Sequence, residues 1–320
     1  MDDAAPAVID GQTVDGHNVD DEAPVDVAAV VVNFNTAADL RRCLSSLRRE
    51  QVERIVVVDN GSRDDSKEVA EAAGVLWVAS GGNVGYGRAA NMGARHPEIA
   101  SRPLLLVCNP DIELRPGAVA DLRRTLLRNS RLGVVGPRLV NPDGSLYPSA
   151  RAFPSLLDAA GHALVGLIVA DNPFTRRYRM IDWDHSEAAL VDWVSGACFL
   201  VRRDAWVQVG GFDPAYFMYM EDVDLCWRLG GVGWRVAYEP RAVVEHTQGV
   251  AADMHPYRML LAHHRSMWIF ALRSTTGRVR VLLPVILAGL GARAAVALLR
   301  RFLAGARKGL AGRRPLDRLT

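Results

Sequence analysis

Short, unbroken apolar runs punctuate the first part of the chain, and most are closed by a polar turn. Val27–Val32 is the first, followed by Ile55–Val58, Val75–Val78 and Leu104–Cys108. Apolar runs of this length without polar alternation predict strands buried on both faces of a sheet. Between them the period changes: Leu40, Cys43, Leu44 and Leu47 recur at helical spacing, and Ser66–Ala73 reads as a second helix. This alternation predicts βαβ units and an α/β fold, a mainly parallel Rossmann-like sheet flanked by helices. The polar segments Asn33–Thr36, Asp59–Ser62, Ser80–Gly87 and Asn109–Asp111 all fall at C-terminal strand ends. Open α/β sheets bind their ligands there.

After residue 133 the alternation loosens. Pro142–Ser145 predicts the turn of a hairpin, Phe153–Val169 contains a helical stretch, and Val191–Val201 reads as a strand around Ser195-Gly196. Val207–Asp213 reads as a loop. An aromatic and apolar run from Tyr216 then leads into Glu221-Asp222 and a helical pattern through Leu229. Val223, Cys226 and Trp227 predict its inward face, with Asp224 and Arg228 paired at i,i+4 on the other side. Asp222 at a helix start among packed rings suits a general base; a solvated acidic helix start is the alternative. From Val281 to Leu299 the chain is apolar except for Arg293. That length just spans a bilayer, but the Arg and the Gly/Ala content favour a helix lying in the interface, with a packed surface helix as the alternative.

Charge changes this picture at the two ends. The net charge is only +2, which gives no sign of a nucleic-acid partner. Residues 1–26 nonetheless carry acids and no Lys or Arg, and predict a disordered acidic tail without the basic and apolar regions of a signal peptide. Arg300, Arg301, Arg307, Lys308, Arg313 and Arg314 make the other end basic. The predicted organisation is a catalytic domain over 27–272, with a nucleotide-binding half to about 132 and an acceptor half from 133. A helical, basic, membrane-associating region follows over 273–320. Cys43, Cys108, Cys198 and Cys226 are scattered, without metal spacing; three sit inside apolar runs, as buried free thiols do, which predicts a reducing, cytoplasmic compartment and no structural zinc.

The chemistry narrows by what is missing and what recurs. No GxGxxG follows the first strand, and no GxxxxGK[ST] is present, so hydride transfer and P-loop hydrolysis are poor readings. Asp59 and Asn60 suit a base edge or ribose hydroxyls, or else an Asx turn. Gly81, Gly82, Gly85 and Gly87 allow close backbone approach to a ligand, and Arg88 offers a partner for diphosphate. Asp111 is a candidate ligand for Mg2+ or Mn2+, and His246 a candidate nitrogen ligand; a turn residue and a strand-end histidine are the alternatives. A nucleotidyltransferase would need a basic loop after the first strand, and Asn33–Thr36 carries no Lys or Arg.

Val30–Thr36, Val57–Ser62, Gly82–Asn91, Asn109–Asp111, Ser195–Cys198 and Met220–Asp224 occur in an order that resembles family 2 inverting glycosyltransferases of the GT-A fold. Tyr147–Arg151, Asn172–Thr175 and His263–Ser266 are similar to one branch, the actinobacterial cell-wall linker rhamnosyltransferases acting on N-acetylglucosaminyl-diphosphoryl-polyprenol. The resemblance implies that Asp222 is the base and that Glu221 or Trp193 holds the acceptor. It places Asp59 against a pyrimidine, with Asn33, Asn83, Gly85 and Arg88 around the donor. Asp111 would bind the metal, with His246 completing the site. Many relatives have Asp-x-Asp where this chain has Asn109-Pro110-Asp111, so Asn109 is expected as a ribose or water contact. The implied partners are a nucleotide-sugar donor, dTDP-rhamnose above UDP-hexose or galactofuranose donors, a polyprenyl-diphosphate-linked acceptor and an anionic membrane surface at the inner face of the cell membrane. A non-catalytic sugar-nucleotide-binding module is the rival from another class; it would show no turnover.

Overall fold

The computed structural model describes residues 27–153, 183–247 and 256–311, with Arg176 and Met180, and beyond Arg300 only the backbone. The predicted acidic tail and the helical stretch expected after Phe153 lie outside the described residues. The chain runs β1 (Val27–Asn33), α1 (Ala37–Arg49), β2 (Arg54–Asp59), α2 (Ser66–Ala72), β3 (Leu76–Ala79), α3 (Tyr86–Ala94) and α4 (Pro97–Ala100). It continues with β4 (Leu104–Cys108), β5 (Ile112–Leu114), α5 (Ala118–Arg128), β6 (Leu132–Val140), β7 (Leu146–Tyr147) and β8 (Ala150–Arg151). After the undescribed stretch come β9 (Ala189–Val191), β10 (Trp193–Val194), β11 (Cys198–Arg202), α6 (Arg203–Gln208), α7 (Glu221–Gly231) and β12 (Arg235–His246). Two helices, α8 (Pro256–Ser274) and α9 (Leu283–Ala311), close the chain, joined by a 3-10 turn at Gly277–Leu282.

Among the described residues one sheet carries the fold, in the order β3-β2-β1-β4-β11-β6-β12-β5. The first four strands are parallel, as the βαβ pattern predicts. β11 enters antiparallel between β4 and β6, and β12 runs parallel to β6. The sheet therefore passes without a break through residue 133, and the predicted boundary between the two halves falls inside β6. The boundary at 272 likewise falls inside α8.

β1 shows why the apolar runs do not alternate. Val27, Ala29 and Val31 pack under Leu40, Cys43, Leu44 and Leu47 of α1. Ala28, Val30 and Val32 face the other side, against Ala89, Ala90 and Ala94 of α3. Both faces are dry, so both residue parities must be apolar. α3 lies close to the sheet because Gly93 lacks a side chain: a Cβ there would sit 2.6 Å from a Val30 methyl. All four cysteines are free and buried, and burial pushes the Cys226 thiol up to about 12.

The strand expected over Val191–Val201 is three short pieces, β9, β10 and β11. The chain leaves the sheet at Ser195–Ala197 because its backbone is bonded elsewhere. Ser195 N–H donates to the Ser149 carbonyl and Gly196 N–H to Asp222, each at 2.8 Å. The hairpin predicted at Pro142–Ser145 is present as the β6–β7 pair. Arg280–Arg300 is a 21-residue stretch long and apolar enough to cross a membrane, and only 11% of its 18-residue apolar window is buried.

Candidate active site

A cavity of about 500 Å3 opens where β1, β2 and β4 end. Its walls come from all parts of the chain: Phe34 and Thr36 after β1, Asn60 after β2, Asn109–Asp111 after β4, Ser195–Ala197, Phe217–Val223, His246, and Arg258, Met259 and His263 of α8. The polar turns read from the sequence therefore converge, as a switch in strand order requires.

Asp222 is part-exposed to this cavity at the start of α7. Its Oδ2 accepts from Gly196 N–H at 2.8 Å and its Oδ1 from Val223 N–H at 2.9 Å. Burial nevertheless raises its pKa, opposed by those two amides and by the charge of Arg151. Arg151 stacks against Trp193, 5.0 Å from the ring centroid. Trp193 is buried and donates its indole N–H to the Ala152 carbonyl. Glu221 is 7% exposed, and its Oε2 has no hydrogen-bond partner. Burial, and then the charge of Asp222, push it from 4.5 up to about 8. Near neutrality Glu221 therefore keeps its proton.

Two strained residues set this pair in place. Tyr219 and Met220 both have φ +68°, a left-handed conformation that costs about 1–2 kcal/mol for a residue with a side chain. Neighbours hold the loop in it. Tyr86 N–H donates to the Phe217 carbonyl at 3.0 Å, and Ser266 Oγ–H to the Met218 carbonyl at 2.9 Å. Tyr86 also donates its hydroxyl to the Gly196 carbonyl at 2.8 Å, so one side chain braces both sides of Asp222. Asp224 pairs with Arg228 as expected, at 2.6 Å, yet it is fully buried rather than on a solvated face. Tyr216 hydroxyl and the Arg228 guanidinium together satisfy it.

Asp111 and His246 meet because β5 pairs with the end of β12, where His246 faces Ile112 in register. His246 Nε2 lies 3.3 Å from Asp111 Oδ1 and 3.4 Å from Asn109 Nδ2. Asp111 Oδ1 is buried and accepts no hydrogen bond. An orphaned carboxylate oxygen beside an imidazole, both on a cavity wall, fits a divalent cation whose remaining ligands are phosphate and water. No larger cluster of His, Cys, Asp or Glu that could hold a metal occurs among the described residues.

The expected donor residues divide. Asn83 lines the cavity with Asn60, which donates to its Oδ1 at 3.1 Å. Asn33 and Asp59 do not reach the wall; they are paired in register at the ends of β1 and β2. There Asp59 accepts from Ser62 N–H at 3.1 Å, and Asn33 donates to Ser62 Oγ at 3.1 Å, so both build the turn that presents Asn60. Gly85 also lies behind the wall. It has φ +94°, and a Cβ there would stand 2.4 Å from the Phe217 carbonyl oxygen, so it permits the loop contact rather than touching ligand space. Arg88 requires a correction: it does not line the cavity. Two residues past Tyr86 is about 200° round the helix, and its exposed Nε–H donates instead to the Pro214 carbonyl at 2.9 Å. Tyr86, Arg151, Ser195, Arg258 and His263 line the cavity without having been given roles from sequence. Each reaches it through tertiary packing; all but Arg258 fall in segments that carry the family resemblance, which gave them no role.

A mainly parallel α/β sheet whose strand ends open on one cavity lined by Asp111, Glu221 and Asp222 is the GT-A architecture. Residues 28–206 match Glycosyl transferase family 2, and the chain belongs to that family and is a glycosyltransferase. An N-acetylglucosaminyl-diphospho-decaprenol L-rhamnosyltransferase of Mycobacterium tuberculosis is 41% identical over 253 residues, 75% of this chain and 82% of that protein. Rhamnosyltransferase WbbL of Escherichia coli is 28% identical over 221 residues, 67% of this chain and 80% of that one. Among solved structures, the mannosyltransferase PcManGT from Pyrobaculum calidifontis, in complex with GDP-Man and Mn2+, shares the fold with a TM-score of 0.54. It is 16% identical, across 91% of this chain and 82% of that one.

The Glu221 shift has a consequence for stability. A carboxyl whose folded pKa is raised favours folding below its ordinary value, and that contribution is lost as pH rises toward about 8. The Glu221→Gln protein should therefore gain on the wild type between pH 5 and pH 8.5, by on the order of 2–4 kcal/mol. Urea unfolding at both pH values measures this; parallel pH dependence in the two proteins would show that Glu221 is not held protonated.

Proposed function

We propose that this glycosyltransferase moves L-rhamnose from dTDP-rhamnose onto a polyprenyl-diphosphate-linked N-acetylglucosamine, with inversion at the anomeric carbon. The observation that carries the reading is the Asp222 carboxyl held at a cavity wall by two backbone amides, in a chain 41% identical to the mycobacterial L-rhamnosyltransferase along most of both lengths. Asp222 accepts the proton of the attacking acceptor hydroxyl. The new bond forms between that oxygen and C1 of the sugar as the bond from C1 to the nucleoside diphosphate breaks. Gly196 N–H and Val223 N–H fix the carboxylate in place, and together with the Arg151 charge they oppose the rise that burial imposes on its pKa. Glu221, protonated, has a hydrogen to donate to the acceptor, and Trp193 offers the sugar an apolar wall beside Arg151. Asn60 and Asn83 present amides to the donor nucleotide, over the turn built by Asn33 and Asp59, while Asn109 contacts the ribose or a water.

Asp111 and His246 would hold a Mg2+ or Mn2+ ion, which supplies positive charge against the diphosphate leaving group. Asn109 is neutral where a second carboxylate would strengthen the site, so the affinity rests on Asp111. α9 offers a means of holding the enzyme at the anionic inner face of the cell membrane. Its apolar stretch contains Arg293, and a charge at the centre of a spanning helix costs about 2.5–3.5 kcal/mol. Lying in the interface avoids that cost and sets the basic end against lipid headgroups.

The test is transfer by the purified protein to a short-chain lipid-diphosphate N-acetylglucosamine from a panel of nucleotide sugars, read by mass spectrometry. dTDP-rhamnose should be preferred, and Asp222→Asn should lower kcat at least about 100-fold while nucleotide binding stays intact. Preference for a UDP-hexose or galactofuranose donor would overturn the donor assignment alone, and more than a tenth of wild-type kcat in Asp222→Asn would remove it as the base. Chelation of divalent cations should abolish transfer, and Asp111→Ala should raise the donor KM and lower kcat together; full activity in excess chelator would exclude the metal site. Flotation with anionic liposomes should be lost as salt rises above the range where the screening length is about 8–10 Å. Equal, salt-resistant binding to neutral liposomes would indicate a spanning helix instead.

A further inference from the structure

α8 has two faces with different surroundings. Arg258, Met259 and His263 line the cavity. Tyr257, Leu261, Trp268 and Leu272 are 46%, 53%, 42% and 44% exposed, and their spacing of four, seven and four residues puts them on one stripe. The stripe is followed by Val281, Leu282 and Val285, also exposed, at the entry to α9. Arg265, Arg278 and Arg280 are exposed beside it. An apolar helix face continuous with an apolar helix and flanked by arginines matches an anionic bilayer surface. The residues next to that face and inside the cavity are then the first to meet the polar head of a lipid-linked ligand.

We infer that Arg258, with His263 five residues along α8, forms the subsite for the diphosphate of the lipid-linked acceptor. The inference rests on the proposed lipid-diphosphate acceptor. The Arg258 guanidinium lies 5.1 Å from the Phe217 ring centroid, and no carboxylate pairs with it among the described residues. A guanidinium stacked on a ring keeps the edge that grips phosphate oxygens two at a time. Phe217 is a firm platform, because its carbonyl is bonded to Tyr86 N–H at 3.0 Å. His263 sits edge-on to Tyr219 at 5.2 Å, so the same loop that delivers Glu221 and Asp222 fixes both members of the subsite. The Asp111–His246 site, by contrast, is built from the ends of β4 and β12. The two diphosphates, one leaving with the nucleotide and one staying with the lipid, are thus assigned to different elements.

The experiment is direct binding of a short-chain polyprenyl diphosphate without sugar, in parallel with the matching polyprenol and with dTDP. It is run on the wild type, Arg258→Gln and Arg258→Lys, in detergent micelles with thermal unfolding as the check on folding. Arg258→Gln should weaken the polyprenyl diphosphate about tenfold or more, and Arg258→Lys less, with polyprenol and dTDP unaffected. Unchanged polyprenyl-diphosphate binding in Arg258→Gln overturns the inference. So does a wild type that does not prefer the diphosphate to the alcohol, or a loss of dTDP binding instead. Because no transfer is measured, failure here is distinct from failure of the acceptor reading, which the transfer assay decides.

Discussion

The amide of Gly196 donates to Oδ2 of Asp222 at 2.8 Å, and three pieces of chain meet at that contact. Gly196 lies between β10 and β11, Asp222 opens α7, and Tyr86 from α3 reaches over to the Gly196 carbonyl. The approach is close: a Cβ on Gly196 would stand 3.3 Å from Cβ of Asp222. For the amide to be free, the chain must leave the sheet between β10 and β11. For the carboxylate to arrive, Tyr219 and Met220 must both adopt left-handed backbone. The break in the sheet and the strained loop are two sides of one constraint.

Charge around that contact is arranged by burial as much as by pairing. Glu221 and Asp222 are neighbours in sequence but not in environment, since only Asp222 receives two amide donors. The buried Glu221 oxygen receives none, so its proton is the less costly one to keep. Asp224, two residues past Asp222, is buried more deeply yet is satisfied by Tyr216 and Arg228. Arg228 also donates to the carbonyls of Val209 and Gly211, at 2.7 and 2.8 Å, and so ties α7 to the segment after α6. Arg273 of α8 pairs with Asp213 and stacks on Tyr216, which joins the last helices to the same network. The element with the exposed apolar stripe also meets the helix that carries Asp222, where Phe270 packs edge-on to Trp227 at 6.2 Å.

The basic residues of the cavity come from late elements. The arginine nearest the glycine-rich loop, Arg88, points away to Pro214, and the cavity's arginines are Arg151 and Arg258. In the proposed reading that positive charge lies toward the lipid-linked acceptor. The wall formed by Asn60 and Asn83, where the reading puts the nucleotide, offers neutral amides.

Much of this was legible from the chain alone. The dry strands β1, β2 and β4 announce themselves because burial on both faces forces both residue parities to be apolar, a local demand with a local signature. The turns at Asp59, Asn109–Asp111 and Glu221–Asp222 were legible for a similar reason: polar groups at strand and helix ends stand out against apolar runs. The sequence could not say which members of those turns face the ligand. Asn33 and Asp59 turn inward to bond each other's loops, and Asn60 takes the wall, because the β1–β2 register aligns Asn33 with Asp59. It could not assign Arg88, whose direction follows from helix phase and from a carbonyl 126 residues away. Nor could it find Arg258 or give Tyr86 a role, since their positions depend on α8 and α3 packing over a loop from elsewhere in the chain. Burial patterns are written in consecutive residues, whereas the shape of the cavity depends on contacts between segments whose separation in sequence carries no pattern of its own.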